Sequence, residues 1–308
     1  MPEYELYCFA QSGNCYRAAL MLNLIGADWK PMFVDFFGKM VQRTSEYRTQ
    51  INEMGEAPVL VHGEKKFSQS GVILTYLARR SGKYLPEGEA DELEALRWII
   101  FDNQKVNGFL GPYRFLKNFA KPAGDPAVLA FFKGQSRTPE YRTQINEMGE
   151  APVLVHGGKK LTQSGVILTY LARRSGKYLP QGEDEELEAL RWIIFDNQKV
   201  NGFLGPYRFL KNFAKPAGDP AVLAFFKGRI DGNLGIINKR LDGRKFLLGD
   251  QPTIADVSLA GYLYYPPEEF GFDIDKDHPA IAAWRERVKA LPGWAHPYDL
   301  MPGHPLPA

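Results

Sequence analysis

Cysteine is nearly absent: the 308 residues contain two, Cys8 and Cys15. Such a pair makes neither a disulfide framework nor a Cys-x-x-Cys motif, and the expected setting is a reducing cytoplasm. The five histidines show no ligand spacing, so no metal is expected. An excess of charge is missing too. There are 38 basic and 36 acidic residues, a net charge of +2, with no lysine- or arginine-rich run. That excludes the electrostatic footprint of a nucleic-acid partner. No stretch approaches the roughly 18 uninterrupted apolar residues of a membrane span. The opening Met1-Pro-Glu-Tyr-Glu lacks the basic and then apolar pattern of a secretory leader. What remains is an ordinary globular composition, 44% hydrophobic and 24% charged, able to bury a sizeable core.

One feature is not ordinary. Residues 43–134 and 137–228 align at a fixed offset of 94 without a gap, and only seven of the 92 aligned positions differ. Residues 1–42 and 229–308 occur once. A solenoid is excluded, because its units are shorter and roughly three or more are needed to share a core. A repeated cassette inside single-copy flanks is not two whole domains. One copy is expected to complete a fold with the flanks, and the other is surplus. Removing one 94-residue period leaves 214 residues, a length suited to two small domains.

The unique start reads strand–helix–strand. Tyr4–Phe9 is a short apolar run, Cys15–Ile25 has helical spacing closed by Gly26, and Lys30–Phe37 is a second strand. The repeat then predicts a short helix over Glu46–Glu53, a strand over Ala57–His62 and a turn at Gly63-Glu64. The turn signal is stronger at Gly157-Gly158 in copy two. A return strand, Lys66–Gln69, and a helix, Ser70–Arg80, follow. Beyond Pro86 the pattern is helical, broken by a loop at 121–126 and again at 215–220. The last helix of the repeat is cut at Gly134 in copy one. In copy two it runs on through Ile230, Leu234, Ile237 and Leu241. Thr253-x-x-Asp256 predicts a helix cap and nothing more. The tail 296–304 is rich in proline and predicts irregular chain.

This order, with Ser12-Gly13-Asn14 after the first strand, Gly55-Glu56-Ala57-Pro58-Val59-Leu60, Gln69-Ser70 before a helix and Leu248–Asp256, resembles the cytosolic glutathione transferases. The Ser-x-Asn form is similar to the serine-type bacterial members. The resemblance implies an α/β plus all-α fold: a thioredoxin-like βαβ-α-ββα domain, then a helical bundle domain, with a duplicated partial segment. It implies glutathione as co-substrate, a hydrophobic electrophile and a homodimer.

Each implied site residue has a plainer reading beside it. Ser12 stands where a strand enters a helix N-terminus, whose unpaired N–H groups favour an anion. A thiol near pKa 8.5, lowered by about two units, needs about 2.7 kcal/mol of differential stabilisation. A hydroxyl donor and a helix end can supply that. Ser12 would then orient the glutathione thiolate, or else serve as a simple N-cap. Asn14 would donate an amide N–H to the same sulfur, or cap. Cys15 is a buried core thiol or a mixed-disulfide nucleophile. Pro58 is a cis-proline candidate, with the Ala57 backbone pairing with the peptide, or an edge-strand proline. Gln69 and Ser70 would hold the γ-glutamyl end, or serve as a polar strand end and a helix cap. Ala151, Pro152, Gln163 and Ser164 repeat that binding half in copy two, but Ser12 has no second copy, so one catalytic centre per chain is expected.

The expected division is 1–86 for the glutathione-binding domain, 87–182 for the surplus segment and 183–308 for the helical domain; the rival division leaves 43–136 as an insertion in the loop after strand two. The expected function is conjugation of the glutathione thiolate to an electrophilic small molecule. The alternatives are a non-catalytic glutathione-binding or scaffold protein inactivated by the duplication, or a glutathione-dependent thiol-disulfide oxidoreductase working through Cys15.

Overall fold

The computed structural model describes residues 2–120, 124–133, 146–148, 151–214 and 216–301. The cut at Gly134, parts of both loops (121–123 and 215) and the tail beyond residue 301 lie outside the described residues. The chain divides into two compact units, Met1–Ile167 and Leu168–Ala308.

The first unit opens with β1 (Tyr4–Cys8), α1 (Gly13–Ile25) and β2 (Trp29–Phe33). It continues through α2 (Ser45–Gln50), β3 (Val59–His62), β4 (Lys65–Ser68) and α3 (Ser70–Ser81). The strands form one sheet in the order β2-β1-β3-β4, with β2 parallel to β1 and the other pairings antiparallel. In β1, Tyr4 and Leu6 point into the core while Glu5 and Tyr7 are half-buried, the two-residue period of a strand. In α1, Cys15, Ala18 and Leu22 fall on one helical face. The helix stops at Gly26, whose φ of +75° allows its N–H to reach the carbonyls of Leu22 and Asn23. α1 packs against α3, whose buried face is Val72, Ile73, Tyr76 and Leu77.

Strand β2 ends four residues before the expected Phe37. Its final link is Val34 N–H to the Cys8 carbonyl at 2.9 Å. Phe36 and Phe37 then leave the sheet because their rings pack on Phe9, at 4.5 and 5.6 Å. Pro31 sits in β2 opposite Leu6, a position an edge strand tolerates because no N–H is needed there.

Copy one runs on as α4 (Gly88–Phe101), a wide π turn (Asp102–Val106), α5 (Asn107–Asn118) and α6 (Pro126–Lys133). Copy two repeats the hairpin as β5 (Val153–His156) and β6 (Lys159–Thr162), in the same register as β3 and β4. That hairpin forms a two-stranded sheet of its own. Gly157 and Gly158 both take positive φ at its turn, as the favoured two-residue turn requires. α7 (Ser164–Ser175) follows and crosses the boundary between the units.

The second unit is helical. α8 (Gly182–Phe195), a π turn (Asp196–Val200) and α9 (Asn201–Asn212) repeat α4 and α5. α10 (Pro220–Leu241) is capped by Asp219 and carries Pro220 in its first turn. Its buried stripe is Val222, Phe226, Ile230, Leu234, Ile237 and Leu241. Five shorter helices complete the unit: α11 (Ile254–Leu259), α12 (Pro267–Phe270), α13 (Ile274–Asp277), α14 (Pro279–Lys289) and α15 (Pro297–Leu300). Thr253 and Asp256 form the expected capping box of α11, but capping is not their whole role. Asp256 Oδ1 also accepts from the Leu247 N–H and from the Trp284 indole, both at 2.9 Å. One buried carboxylate therefore joins a loop, α11 and α14. The tail differs from irregular chain at 297–300, where the His296 ring accepts the Tyr298 N–H and Pro297 starts a helical turn.

Candidate functional site

Ser12 is the N-cap of α1. Its backbone is extended (φ −93°, ψ 117°) and its Oγ accepts from the Cys15 N–H at 3.2 Å. The first turn of α1 holds no acidic residue, so no side chain of the helix cancels its positive end. An accepting hydroxyl keeps its own proton to give. The cap and the donor to an anion are thus compatible roles for one side chain.

Asn14 lies half-buried in the same turn, and its Oδ1 accepts from Ser70 Oγ at 3.4 Å. Ser70 opens α3, which also has no acid in its first turn. The contact brings two helix N-termini together from positions 56 residues apart. Gln69, the N-cap of α3, is held at φ +68° and is buried. Its Nε2 donates to Glu56 Oε2 at 2.9 Å and lies 3.5 Å from the Met54 sulfur.

The Ala57–Pro58 bond is cis, and Pro58 is buried. The preceding carbonyl, that of Glu56, accepts from Tyr47 Oη at 3.0 Å and from Asn52 Nδ2 at 2.9 Å. Gly55 is required here. At φ +66°, a Cβ would lie 2.6 Å from the Arg48 guanidinium and 2.9 Å from the Gln42 carbonyl. Ser12, Asn14, Gln69 and Ser70 therefore converge through α1 and α3, and Ala57 and Pro58 join them through the Glu56–Gln69 bond.

Copy two reproduces the local geometry and lacks the surroundings. Ala151–Pro152 is cis and Gln163 again has φ +68°. Gln163 Nε2 lies 3.4 Å from the Met148 sulfur, as Gln69 does from Met54. Yet Ala151 and Pro152 are exposed, and among the described residues β5 pairs with β6 alone. Ser164 opens α7, and the Ser12–Asn14 turn that Ser70 meets occurs once in the chain.

Cys15 is 2% exposed, and burial pushes its thiol up to about 11. Burial raises the Cys8 thiol as well. Both are therefore protonated thiols at neutral pH, and the nucleophilic form is the thiolate. Among the described residues no group of three or more histidine, cysteine or carboxylate side chains is placed to hold a metal. No described helix is long and apolar enough to cross a membrane.

Two neighbours of this site were not singled out by sequence reasoning. Glu56 lies within the Gly55–Leu60 stretch, but its bond to Gln69 spans 13 residues. Arg114, on α5, donates from Nη1 to the Gln11 carbonyl, one residue before Ser12 and 103 residues away. No local pattern carries either contact.

Comparisons with known proteins identify the class. The glutathione S-transferase N-terminal domain model matches residues 2–79 and again 129–173, and the C-terminal domain model matches 220–287. Together they match more than half of the chain, which belongs to the glutathione transferase family. Curated relatives include glutathione S-transferase theta-2 of Mus musculus, 27% identical over 192 residues, covering 59% of this chain and 78% of the relative. The Homo sapiens theta-2 protein is 28% identical over 196 residues, with the same coverage. Among solved structures, the chain is similar to a glutathione S-transferase from Xanthobacter autotrophicus Py2. That match has 22% identity and a TM-score of 0.36, and covers 96% of this chain and 97% of the other.

Proposed function

We propose that this chain is a serine-type glutathione transferase that joins the glutathione sulfur to an electrophilic carbon of a small hydrophobic molecule. The observation that carries the reading is the position of Ser12, a hydroxyl at the uncancelled N-terminus of a 13-residue helix. In the step proposed, the thiol proton leaves to solvent. The sulfur anion rests against the Ser12 hydroxyl and the first N–H groups of α1, with Asn14 beside them. The sulfur pair forms the new S–C bond as the leaving group departs with its own electron pair. Gln69, Ser70 and the Ala57 backbone hold the peptide, and copy one supplies this binding half. We further propose a cytoplasmic homodimer.

The test is conjugation of glutathione to a chlorodinitrobenzene. Ser12→Ala should lower kcat/KM by about 100-fold, the usual effect of removing one anion-stabilising donor. Cys15→Ala should retain most of the activity. Loss in Cys15→Ala with retention in Ser12→Ala would turn the assignment toward thiol–disulfide exchange, a reading that the burial of Cys15 disfavours. Retention on immobilised glutathione without turnover would reduce the chain to a binding protein.

A further inference from the structure

Arg114 and Arg208 are the same residue of the repeat, and they are used differently. Arg208 is neutralised. Its Nε donates to Glu269, its Nη2 donates to Tyr298 Oη at 2.6 Å, and its guanidinium lies 3.8 Å from the centre of the Tyr265 ring. Arg114 has no carboxylate partner among the described residues. It donates to the Gln11 carbonyl and lies 5.3 Å from the centre of the Phe119 ring.

Phe119 is part of an aromatic run that ties α5 to the loop before α1. Its ring stacks on Phe37 at 4.9 Å, and Phe37 meets Phe9 edge-on at 5.6 Å. Phe9 in turn accepts the Ser12 N–H at its carbonyl, at 3.2 Å. The loop from Phe9 to Ser12 is thus held by ring packing at one end and by the Arg114 guanidinium at Gln11.

Several other charged or titratable groups near these elements have partners of their own. Arg17 of α1 is paired with Asp102. Asp35 accepts the Gly38 N–H at 2.8 Å. Lys117 of α5 stands over the Tyr113 ring at 5.6 Å. Glu56 accepts from Gln69, and Cys15 is a neutral buried thiol. A cation without a carboxylate partner among the described residues, bound to the carbonyl one residue before a helix N-cap, acts on any anion placed there, and more strongly where water is partly excluded.

We propose that Arg114 is a positioning residue for the thiolate: it fixes the Gln11–Ser12 peptide so that the Ser12 hydroxyl meets the sulfur, and its uncancelled charge favours the anionic form. The inference rests on the transferase reading above. It assigns a role to the helices of copy one, and it distinguishes Arg114 from its identical twin.

The experiment compares wild type, Arg114→Ala, Arg114→Lys and Lys117→Ala in the full chain. Glutathione affinity is read by calorimetry, and kcat/KM for a chlorodinitrobenzene is followed against pH. In Arg114→Ala the ionisation that controls kcat/KM should move up by about half a unit or more, lowering the rate at acidic pH severalfold while glutathione affinity changes little. Arg114→Lys should recover most of the profile, and Lys117→Ala should match wild type. An unchanged pH profile in Arg114→Ala overturns the proposal, even if the rate falls equally at every pH, for that marks a structural role alone. A wild type that binds glutathione but conjugates nothing overturns the transferase reading and this proposal together. A wild type that conjugates normally with an unshifted Arg114→Ala profile overturns this proposal only.

Discussion

Residues 43–134 and 137–228 are almost the same sequence in opposite surroundings. In copy one the hairpin is the buried partner, since β3 pairs with β1 and Val59 and Leu60 are wholly enclosed. In copy two the same hairpin forms a two-stranded sheet among the described residues, and Val153 and Leu154 are only half-buried. For the helices the order reverses. Trp192 is 1% exposed where Trp98 is 48%, and Leu204 is 0% where Leu110 is 62%. The difference lies in the single-copy flanks. Residues 1–42 supply the strand beside the first hairpin, and residues 229–289 supply the helices that pack on α8 and α9. Local geometry follows local sequence in both copies: the cis bond, the positive φ at glutamine, the helix and the π turn. Burial depends on which neighbours are present.

Matched substitutions put that comparison at risk. Leu204→Ala should cost about 2–5 kcal/mol, while Leu110→Ala should cost about 0.5 kcal/mol or less. Denaturant unfolding of the two variants checks this, and equal losses would break the contrast between the copies.

Asp102 and Asp196 sharpen the comparison electrostatically. Asp102 pairs with Arg17 and accepts from Asn107 Nδ2 at 2.7 Å. Asp196 is enclosed, accepting from Ser258 Oγ at 2.6 Å and Asn201 Nδ2 at 2.9 Å, with its Oδ1 unpartnered. Burial raises its carboxyl to about 8. A folded-state value above the unfolded one means that the folded chain holds the extra proton between about pH 4 and 8. Stability from this group is therefore complete below about pH 4 and falls by up to about 1.4 kcal/mol per pH unit as pH rises to about 8. Asp196→Asn, which keeps a neutral group of the same shape, should remove that slope and gain relative stability toward pH 8. Asp102→Asn should leave the slope in place. Unfolding measured from pH 5 to 8 decides between them.

A smaller effect is expected at the paired glutamines. Gln69→Ala should weaken glutathione binding about tenfold, or about 1.4 kcal/mol, and Gln163→Ala should change it less than about twofold. The reverse result would move binding to copy two.

Much of the frame was legible in the chain. The strand and helix order, the stop at Gly26 and the capping box at Thr253 follow from spacing and cap residues. Ser12, Asn14, Gln69 and Ser70 could be marked because each sits beside a helix start in a stretch that carries the family resemblance. The rest depends on tertiary neighbours. β2 ends early because Phe36 and Phe37 find Phe9. Asp256 serves three elements because Trp284 reaches it from 28 residues away. Nothing within the repeat could tell Arg114 from Arg208 or Asp102 from Asp196, since the residues around them are identical.

Calorimetric titration of the full chain with glutathione reads the central claim most directly, as a number of molecules bound. One glutathione per chain, lost first in Gln69→Ala, is the expected result. Two per chain, or none with the protein folded, would contradict a single site built on the Ser12 turn and the first hairpin.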